Sequence, residues 1–323
     1  MRKYRTASTR FLLPVLFLAG VIAGIYIGKS RGIPFVMKQG QYSIGIYSGE
    51  SPFNLRPAPE VNNPVLTAKD VTDVSASFVA DPFMVNEKGT WYMFFEVLNA
   101  RDNQGDIGLA VSSDGFNWGY RQIVLDEPYH LSYPYVFKWK DDYYMIPESR
   151  EAYAVKLYRA ANFPTKWSFV ANLLSGNYVD SSIFYYDGQW WMFTSDRNDV
   201  LHLFSANDLM GHWIEHPKSP IILMDGNIAR PGGRVLLFHN KIFRFTQDCD
   251  PTYGYMVRAF EITELTPESY REKEVPGNPV LKPTRNGWNA ERMHHIDPHN
   301  IAENHWLACV DGVARYWKFG IQY

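Results

Sequence analysis

The sequence predicts an all-β protein, a five-bladed β-propeller of four-stranded antiparallel blades preceded by one N-terminal transmembrane helix. Three observations carry that expectation: a strand-turn-strand phrase recurs five times between residues 81 and 311, it keeps its internal spacing, and one uncharged stretch near the N-terminus resembles none of the repeats. Asp81-Pro82-Phe83 leads to Trp91-Tyr92-Met93-Phe94-Phe95-Glu96, Tyr133-Pro134-Tyr135 to Tyr143-Tyr144-Met145-Ile146-Pro147-Glu148, and Asp180-Ser181-Ser182 to Trp190-Trp191-Met192-Phe193-Thr194-Ser195. In each unit the first and last named residues lie 15 positions apart (96 less 81, 148 less 133, 195 less 180). Looser units run from Arg230-Pro231 to Gln247 and from His295-Ile296-Asp297 to Asp311. Self-similarity of strand-rich units at such a period marks propeller blades.

In chain order, residues 1–10 form a basic tail with Arg2, Lys3, Arg5 and Arg10. The stretch 11–28 is free of charge, and as a helix it would span about 27 Å, close to the hydrocarbon thickness of a bilayer. An uncleaved signal anchor fits better than a cleaved signal peptide, whose apolar region is shorter and ends at a small-residue site. The basic flank then holds the N-terminus in the cytoplasm and exports the propeller to a periplasmic, extracellular or luminal space. Residues 29–41 read as a juxtamembrane linker and 42–323 as the propeller.

Each blade repeats one grammar. An apolar strand is followed by a turn such as Glu87-Lys88-Gly89 or Asp187-Gly188, then by a strand dense in aromatic and β-branched residues. A third strand follows, as in Ile107-Gly108-Leu109-Ala110-Val111, and then a turn ending in Trp118, Trp167 or Trp213. The fifth unit has too little chain after Asp311 for four strands, whereas Ile44-Gly45-Ile46-Tyr47 and Pro64-Val65-Leu66 read like outer strands. Residues 42–71 are therefore expected to complete the last blade, leaving no open sheet face.

Composition agrees: 16% aromatic and 20% charged residues suit a buried all-β body with no disordered tract. Residues 1–31 hold six Lys or Arg and no acid, so the remainder carries 26 basic against 34 acidic residues. A body of that sign has no electrostatic reason to bind nucleic acid. Cys249 and Cys309 sit near the ends of equivalent strands, where an oxidising compartment would permit a bridge and two separate thiols are equally in keeping.

In an antiparallel pair the start of one strand and the end of the next share an edge, so every unit offers two positions to one rim of the ring. Those positions carry Asp81 and Glu96, Tyr133 and Glu148, Asp180, then Arg230 with Gln247 and Asp248, then His294, His295 and Asp297 with Asp311. Such a concentration of ionisable groups fits a polar pocket for carbohydrate chemistry, with one carboxylate as base or nucleophile and another as proton donor. Asp81, Asp180 and Glu148 are the catalytic candidates. Glu96, His130, Tyr133, Arg230, Gln247, Asp248, His294, His295 and Asp297 are the candidate substrate contacts. Rim carboxylates that merely tie blades together are the competing explanation for each acid. Arg230 and Arg292 are the cations available to a carboxylate or phosphate on a ligand, unless a rim acid claims them.

No Cys or His spacing fits structural zinc. No cofactor and no metal ligand set is assigned. The histidines around Asp297 could position a sugar, plug the narrow end of the shaft or hold a metal, and a calcium ion in the shaft stays open beside a water.

The runs His130-Leu131-Ser132-Tyr133-Pro134-Tyr135-Val136-Phe137, Tyr144-Met145-Ile146-Pro147-Glu148-Ser149, Ala229-Arg230-Pro231-Gly232-Gly233-Arg234, Gln247-Asp248-Cys249 and His294-His295-Ile296-Asp297 resemble the N-terminal domain family of plant glucosamine inositolphosphorylceramide transferases. The resemblance covers roughly residues 60–320. In that family glycosyl transfer is attributed to a separate C-terminal domain of another fold, to which the resemblance does not extend. More distantly, Asp81-Pro82 and Ser113-Asp114-Gly115-Phe116-Asn117-Trp118 look like the five-bladed superfamily of arabinanases, levansucrases and invertases. That likeness implies Asp81 as base or nucleophile and Asp180 as the stabilising acid. Where it implies the proton donor this chain has Arg230-Pro231-Gly232-Gly233, so Glu148 or Glu96 would take that part. The expected function is glycosidase-like or glycan-transfer chemistry on a glycan or glycolipid. The alternative is a non-catalytic glycan-binding or accessory module for a partner glycosyltransferase.

Overall fold

The computed structural model describes residues 36–196 and 198–319, together with positions 14, 16–18, 20 and 21. Those N-terminal positions are helical and exposed; otherwise the tail at 1–10, the anchor at 11–28 and most of the linker at 29–41 lie outside the described residues. Among the described residues no helix is long and apolar enough to cross a membrane. The chain divides into two units, one of Gln41–Ala314 and one of the residues up to Gly40 with those from Arg315 onward. The propeller geometry below is that of the first.

Five antiparallel sheets appear where the repeats place them. Blade one is Ala76–Glu87, Thr90–Asn99, Gly105–Ser112 and Gly119–Leu125; blade two is Ser132–Trp139, Asp142–Glu148, Ala154–Asn162 and Lys166–Ser175. Blade three is Val179–Tyr186, Gln189–Ser195, Leu201–Ala206 and Ile214–Glu215. In blade four a broken first strand, Arg230–Pro231 and Leu236–Phe238, pairs with Lys241–Asp248, followed by Met256–Leu265 and Tyr270–Glu274. Blade five takes Ile296–Ala302 and His305–Phe319 from the end of the chain and Val36–Gly49 and Leu55–Pro57 from its beginning. Blade five thus combines strands far apart in sequence, and Ile44 also bridges Leu66.

The first strands close the ring. Those of blades one and two, two and three, three and four, and five and one are in contact. Blade four meets blade five through a parallel bridge from Gly233 to Ile296, with the Ile296 N–H donating to Gly232 O at 3.0 Å. A Cβ on Gly233 would stand 1.8 Å from Ile296 O, so only glycine permits that approach.

The core lies between blades. Phe83, Tyr135, Met145, Ile183 and Met192 join blades one to three, while Ile46, Val79, Phe95 and Leu307 join blade five to blade one. Phe94 and Phe95 are wholly buried, and burial of a side chain of that size contributes about 1.5–3 kcal/mol. The tryptophans ending the third turns are packing residues with a shared bond: the indole N–H groups of Trp118, Trp167 and Trp213 donate to Gly115, Pro164 and Leu209 carbonyls at 2.9, 3.0 and 3.2 Å. Both cysteines are free thiols, Cys309 buried with Sγ 3.0 Å from Pro82 O.

Candidate functional site

Asp81, Tyr133 and Asp180 occupy one equivalent position in three blades, and each has a left-handed backbone, with φ of 51°, 45° and 50°. Pairing skips at each: Ala80 opposes Glu96 but Phe83 opposes Phe94, and the same shift separates Ser132 from Tyr135 and Val179 from Ser182. A bulge of this kind re-aims a side chain out of the strand's alternation. A non-glycine residue held there costs about 1–3 kcal/mol, which the surrounding sheet must over-determine. On the neighbouring second strands Glu96, Glu148, Ser195 and Gln247 pair with Ala80, Ser132, Val179 and Arg230. The upper end of the ring, where first strands begin and second strands end, thereby gathers acids from distant parts of the chain.

Two polar groups form there. In one, Arg230 Nε donates to Asp180 Oδ2 at 2.5 Å, Gln247 Nε2 donates to the same oxygen at 2.7 Å, and Arg230 Nη2 lies 3.6 Å from Glu148 Oε2. Arg150 Nε lies 3.6 Å from Glu148 Oε1. In the other, buried Asp311 accepts the backbone N–H groups of Asp81, His294 and His295 at 3.1 Å each, and His294 Nδ1 at 2.7 Å. A carboxylate only accepts, so Nδ1 carries a proton, and Nε2 is the nitrogen left to face Asp81. That nitrogen is 3.7 Å from Asp81 Oδ1, and His295 Nδ1 is 3.8 Å from the same oxygen. Gly254, at φ 65°, lets its loop close on His294, since a Cβ would stand 2.7 Å from that ring.

The Glu148 carboxyl is pushed up to about 8 by burial and then by Asp180, against the pull of Arg230. Burial, followed by Asp311, Glu96 and Asp180, raises Asp81 well above the usual carboxylate range, while Arg230 opposes the rise. Burial lowers His295 to about 4, so its ring is neutral. Glu96 Oε1 is 3.4 Å from His130 Nε2. Burial works against a charge on His130, but Glu96, Glu148 and Glu151 lift its pKa. A second ring proton would still have to displace the Gly105 N–H, which donates to His130 Nδ1 at 2.9 Å.

The buried side-chain polar atoms without a hydrogen-bond partner among the described residues gather here: Asp81 Oδ1, Glu148 Oε2, both ring nitrogens of His295, Tyr42 Oη and Arg292 Nε. Orphaned groups are rare in folded proteins, so their gathering sets this end of the ring apart. Asp81, His294 and Asp311 each offer a ligand atom within 4.8 Å of the others and could together hold a cation. Such an ion would compete with the four N–H groups already bound to Asp311.

Of the expected residues, Asp81, Glu96, His130, Glu148, Asp180, Arg230, Gln247, His294 and His295 are thus brought together. Three are elsewhere. Tyr133 is fully buried, its hydroxyl accepting Gly233 N–H at 2.7 Å and lying 2.8 Å from Ser182 Oγ and 3.0 Å from Gly233 O, so it braces the shaft. Asp248 turns away from Gln247 to accept Arg258 Nε at 2.9 Å. Asp297 binds Arg234 at 2.6 Å and His299 at 2.9 Å, deeper in the shaft, and those two partners line a cavity of about 770 Å³ at the hairpin-turn end. Sequence reasoning missed Tyr42, stacked on His294 at 4.8 Å; Tyr253, lying over Arg230 at 4.9 Å; and Arg150. Tyr42 belongs to the closing segment and Tyr253 to a loop, so neither falls on a repeated position. Only Arg150 gave a signal, as a cation two residues after Glu148.

The sequence profile described as the N-terminal part of glucosamine inositolphosphorylceramide transferase 1 matches residues 36–313. A relative from rice, Oryza sativa subsp. japonica, called glucosamine inositolphosphorylceramide transferase 1, is 38% identical over 95% of this chain, which spans 46% of that protein's length. Among solved structures, the Listeria innocua β-1,2-mannobiose phosphorylase in complex with β-1,2-mannobiose has a TM-score of 0.60 at 14% identity, covering 82% of this chain and 96% of its own. The Cellvibrio cellulosa α-L-arabinanase complexed with arabinohexaose has a TM-score of 0.53 at 14% identity, covering 77% and 98%. At such identities the likeness to the solved structures is one of fold alone. The profile and the rice relative establish more: this chain belongs to the family of the N-terminal domain of glucosamine inositolphosphorylceramide transferase 1.

Proposed function

We propose that the upper end of the propeller is a saccharide pocket that acts on a glycosidic bond by hydrolysis or transfer. Glu148, protonated at neutral pH, gives its proton to the leaving oxygen. Asp180, compensated by Arg230 and Gln247, keeps that proton on Glu148 until the bond breaks. Asp81 is the second carboxyl group; it acts once ionised, with His294 Nε2 3.7 Å from its Oδ1 and the other nitrogen of that ring held by Asp311. It then serves as base toward water or an acceptor hydroxyl, or as nucleophile. The observation that carries this reading is the convergence of Asp81 Oδ1, Glu148 Oε2 and the His295 nitrogens, buried and without hydrogen-bond partners. The relatives' name joins glucosamine transfer to inositolphosphorylceramide, which favours a glycan or glycolipid head as ligand. Attachment to a membrane through 11–28, export of the propeller and cooperation with a glycosyltransferase are parts of the same proposal.

A second reading, a glycan-binding accessory module, is favoured by Arg230, which stands where the glycosidase likeness implies an acid. Turnover and affinity separate the two. Glu148→Gln in the full-length chain should lower turnover by about 10²–10⁴-fold with affinity retained. Wild type that binds glycans and turns none over is the accessory module. Wild type that binds no glycan ends both readings.

A further inference from the structure

Arg292 is held in place but not neutralised. Its guanidinium lies over the Tyr42 ring at 5.5 Å, and Nη1 donates to Tyr253 O at 3.2 Å. Nε is buried without an acceptor. Other arginines are committed to acids, Arg150 to Glu148, Arg230 to Asp180, Arg234 to Asp297, Arg244 to Glu272 and Arg258 to Asp248. Arg292 pairs with no carboxylate among the described residues, and neither Nε nor Nη2 has an acceptor there. An aromatic face is a weak substitute for a carboxylate, so the guanidinium is left short of a counter-charge.

Its position ties it to the site. Tyr42 stacks on His294 at 4.8 Å with 26° between ring planes, and Tyr253 meets the same imidazole edge-on at 5.4 Å. Arg292 is therefore one tyrosine ring away from the His294 and Asp81 pair. The Nε and Nη2 edge of a guanidinium matches the two oxygens of a carboxylate or phosphoryl group. Arg230 cannot offer that edge, because its Nε is already bound to Asp180.

We propose that the natural ligand is an anionic saccharide and that Arg292 binds its carboxylate or phosphoryl group side-on through Nε and Nη2. The proposal rests on the reading of the upper end as a saccharide pocket.

The test uses the full-length chain, isothermal titration and four probes: inorganic phosphate, glucose, glucose 1-phosphate and glucuronate. Wild type should bind phosphate, and bind at least one charged sugar about tenfold more tightly than glucose. Arg292→Gln should remove both effects without changing glucose affinity. Arg292→Lys, which keeps the charge but loses the two-toothed edge, should restore only part of the preference. A 15Nε resonance of Arg292 that shifts on phosphate addition would locate the contact. Phosphate binding equally well to wild type and Arg292→Gln, or no phosphate binding at tens of millimolar, overturns the proposal. Those outcomes leave the saccharide pocket standing if glucose or a glycan still binds. Loss of all saccharide binding with Arg292-dependent phosphate binding intact would sink the pocket and keep the anion site.

Discussion

The two ends of the shaft carry the same kind of residue in opposite states. Asp297 is wholly buried and wholly satisfied: Arg234 and His299 bind it, Met84 N–H donates to it at 2.7 Å, and, although burial works the other way, Arg234 and His299 hold its carboxyl below the usual range. Asp81 and Glu148, nearly as buried, each keep an oxygen without a partner and are raised. Burial alone therefore does not separate the raised acids from the lowered one in this propeller. What separates them is whether the surrounding side chains complete the hydrogen bonding of the charged form.

The comparison breaks first at Asp297. Asp297→Ala strands the Arg234 guanidinium beside the core, and removal of one partner from a buried pair costs about 3–5 kcal/mol. Urea denaturation at neutral pH measures that loss, and a change below about 1 kcal/mol would show the lower end to be no more committed than the upper. Since the Asp297 pKa is depressed on folding, its contribution is present above the unfolded carboxylate value and is lost as pH falls through the lower, folded value.

Glu148 has the reverse sign. Its pKa rises on folding from 4.5 to about 8, so between those values the unfolded chain holds fewer protons than the folded one, and stability falls as pH rises. Glu148→Gln removes that penalty. The variant should gain on wild type through the window from about 4.5 to 8, by up to about 5 kcal/mol, and then level off. A constant difference across denaturation curves from pH 5 to 9 would mean that Glu148 is ionised in the fold, and the proton-donor assignment would go with it.

The ring was legible because its signal is repeated. Aromatic second strands, glycine turns and the Trp118, Trp167 and Trp213 corners recur at fixed spacing, and a closing strand followed from the shortage of chain after Asp311. Asp81 and Asp180 were legible as equivalents, but their left-handed bulges were not, since Asp81-Pro82 and Asp180-Ser181 would also suit a regular strand. Tyr133 fell in the same repeat position, yet its longer side chain carries the hydroxyl to Gly233 and away from any ligand. Gln247 and Asp248 could not both face Asp180, because neighbours on a strand point to opposite faces. Asp297 lies two residues below His295, and depth along the shaft, which no local pattern encodes, moved it to the Arg234 pair. Tyr42 and Arg292 come from opposite ends of the sequence and meet only through blade closure.

The finest contrast is between two histidines. His299 Nε2 is bonded to Asp297 Oδ2 at 2.9 Å, while neither nitrogen of His295 has a partner and its ring meets Phe83 at 4.5 Å and Tyr133 at 5.3 Å. His299→Leu deletes a bond to an ionised group and should cost about 1.5–3 kcal/mol, or less to the extent that Arg234 and Met84 still satisfy Asp297. His295→Leu removes two unsatisfied polar atoms from an aromatic setting, so stability should change by no more than about 1 kcal/mol despite total burial. Glycan affinity should move the other way, falling in His295→Leu and holding in His299→Leu. Equal stability losses in the two variants would mean that His295 has partners in solution, and the orphaned cluster that distinguishes the upper end would shrink to its carboxyl groups.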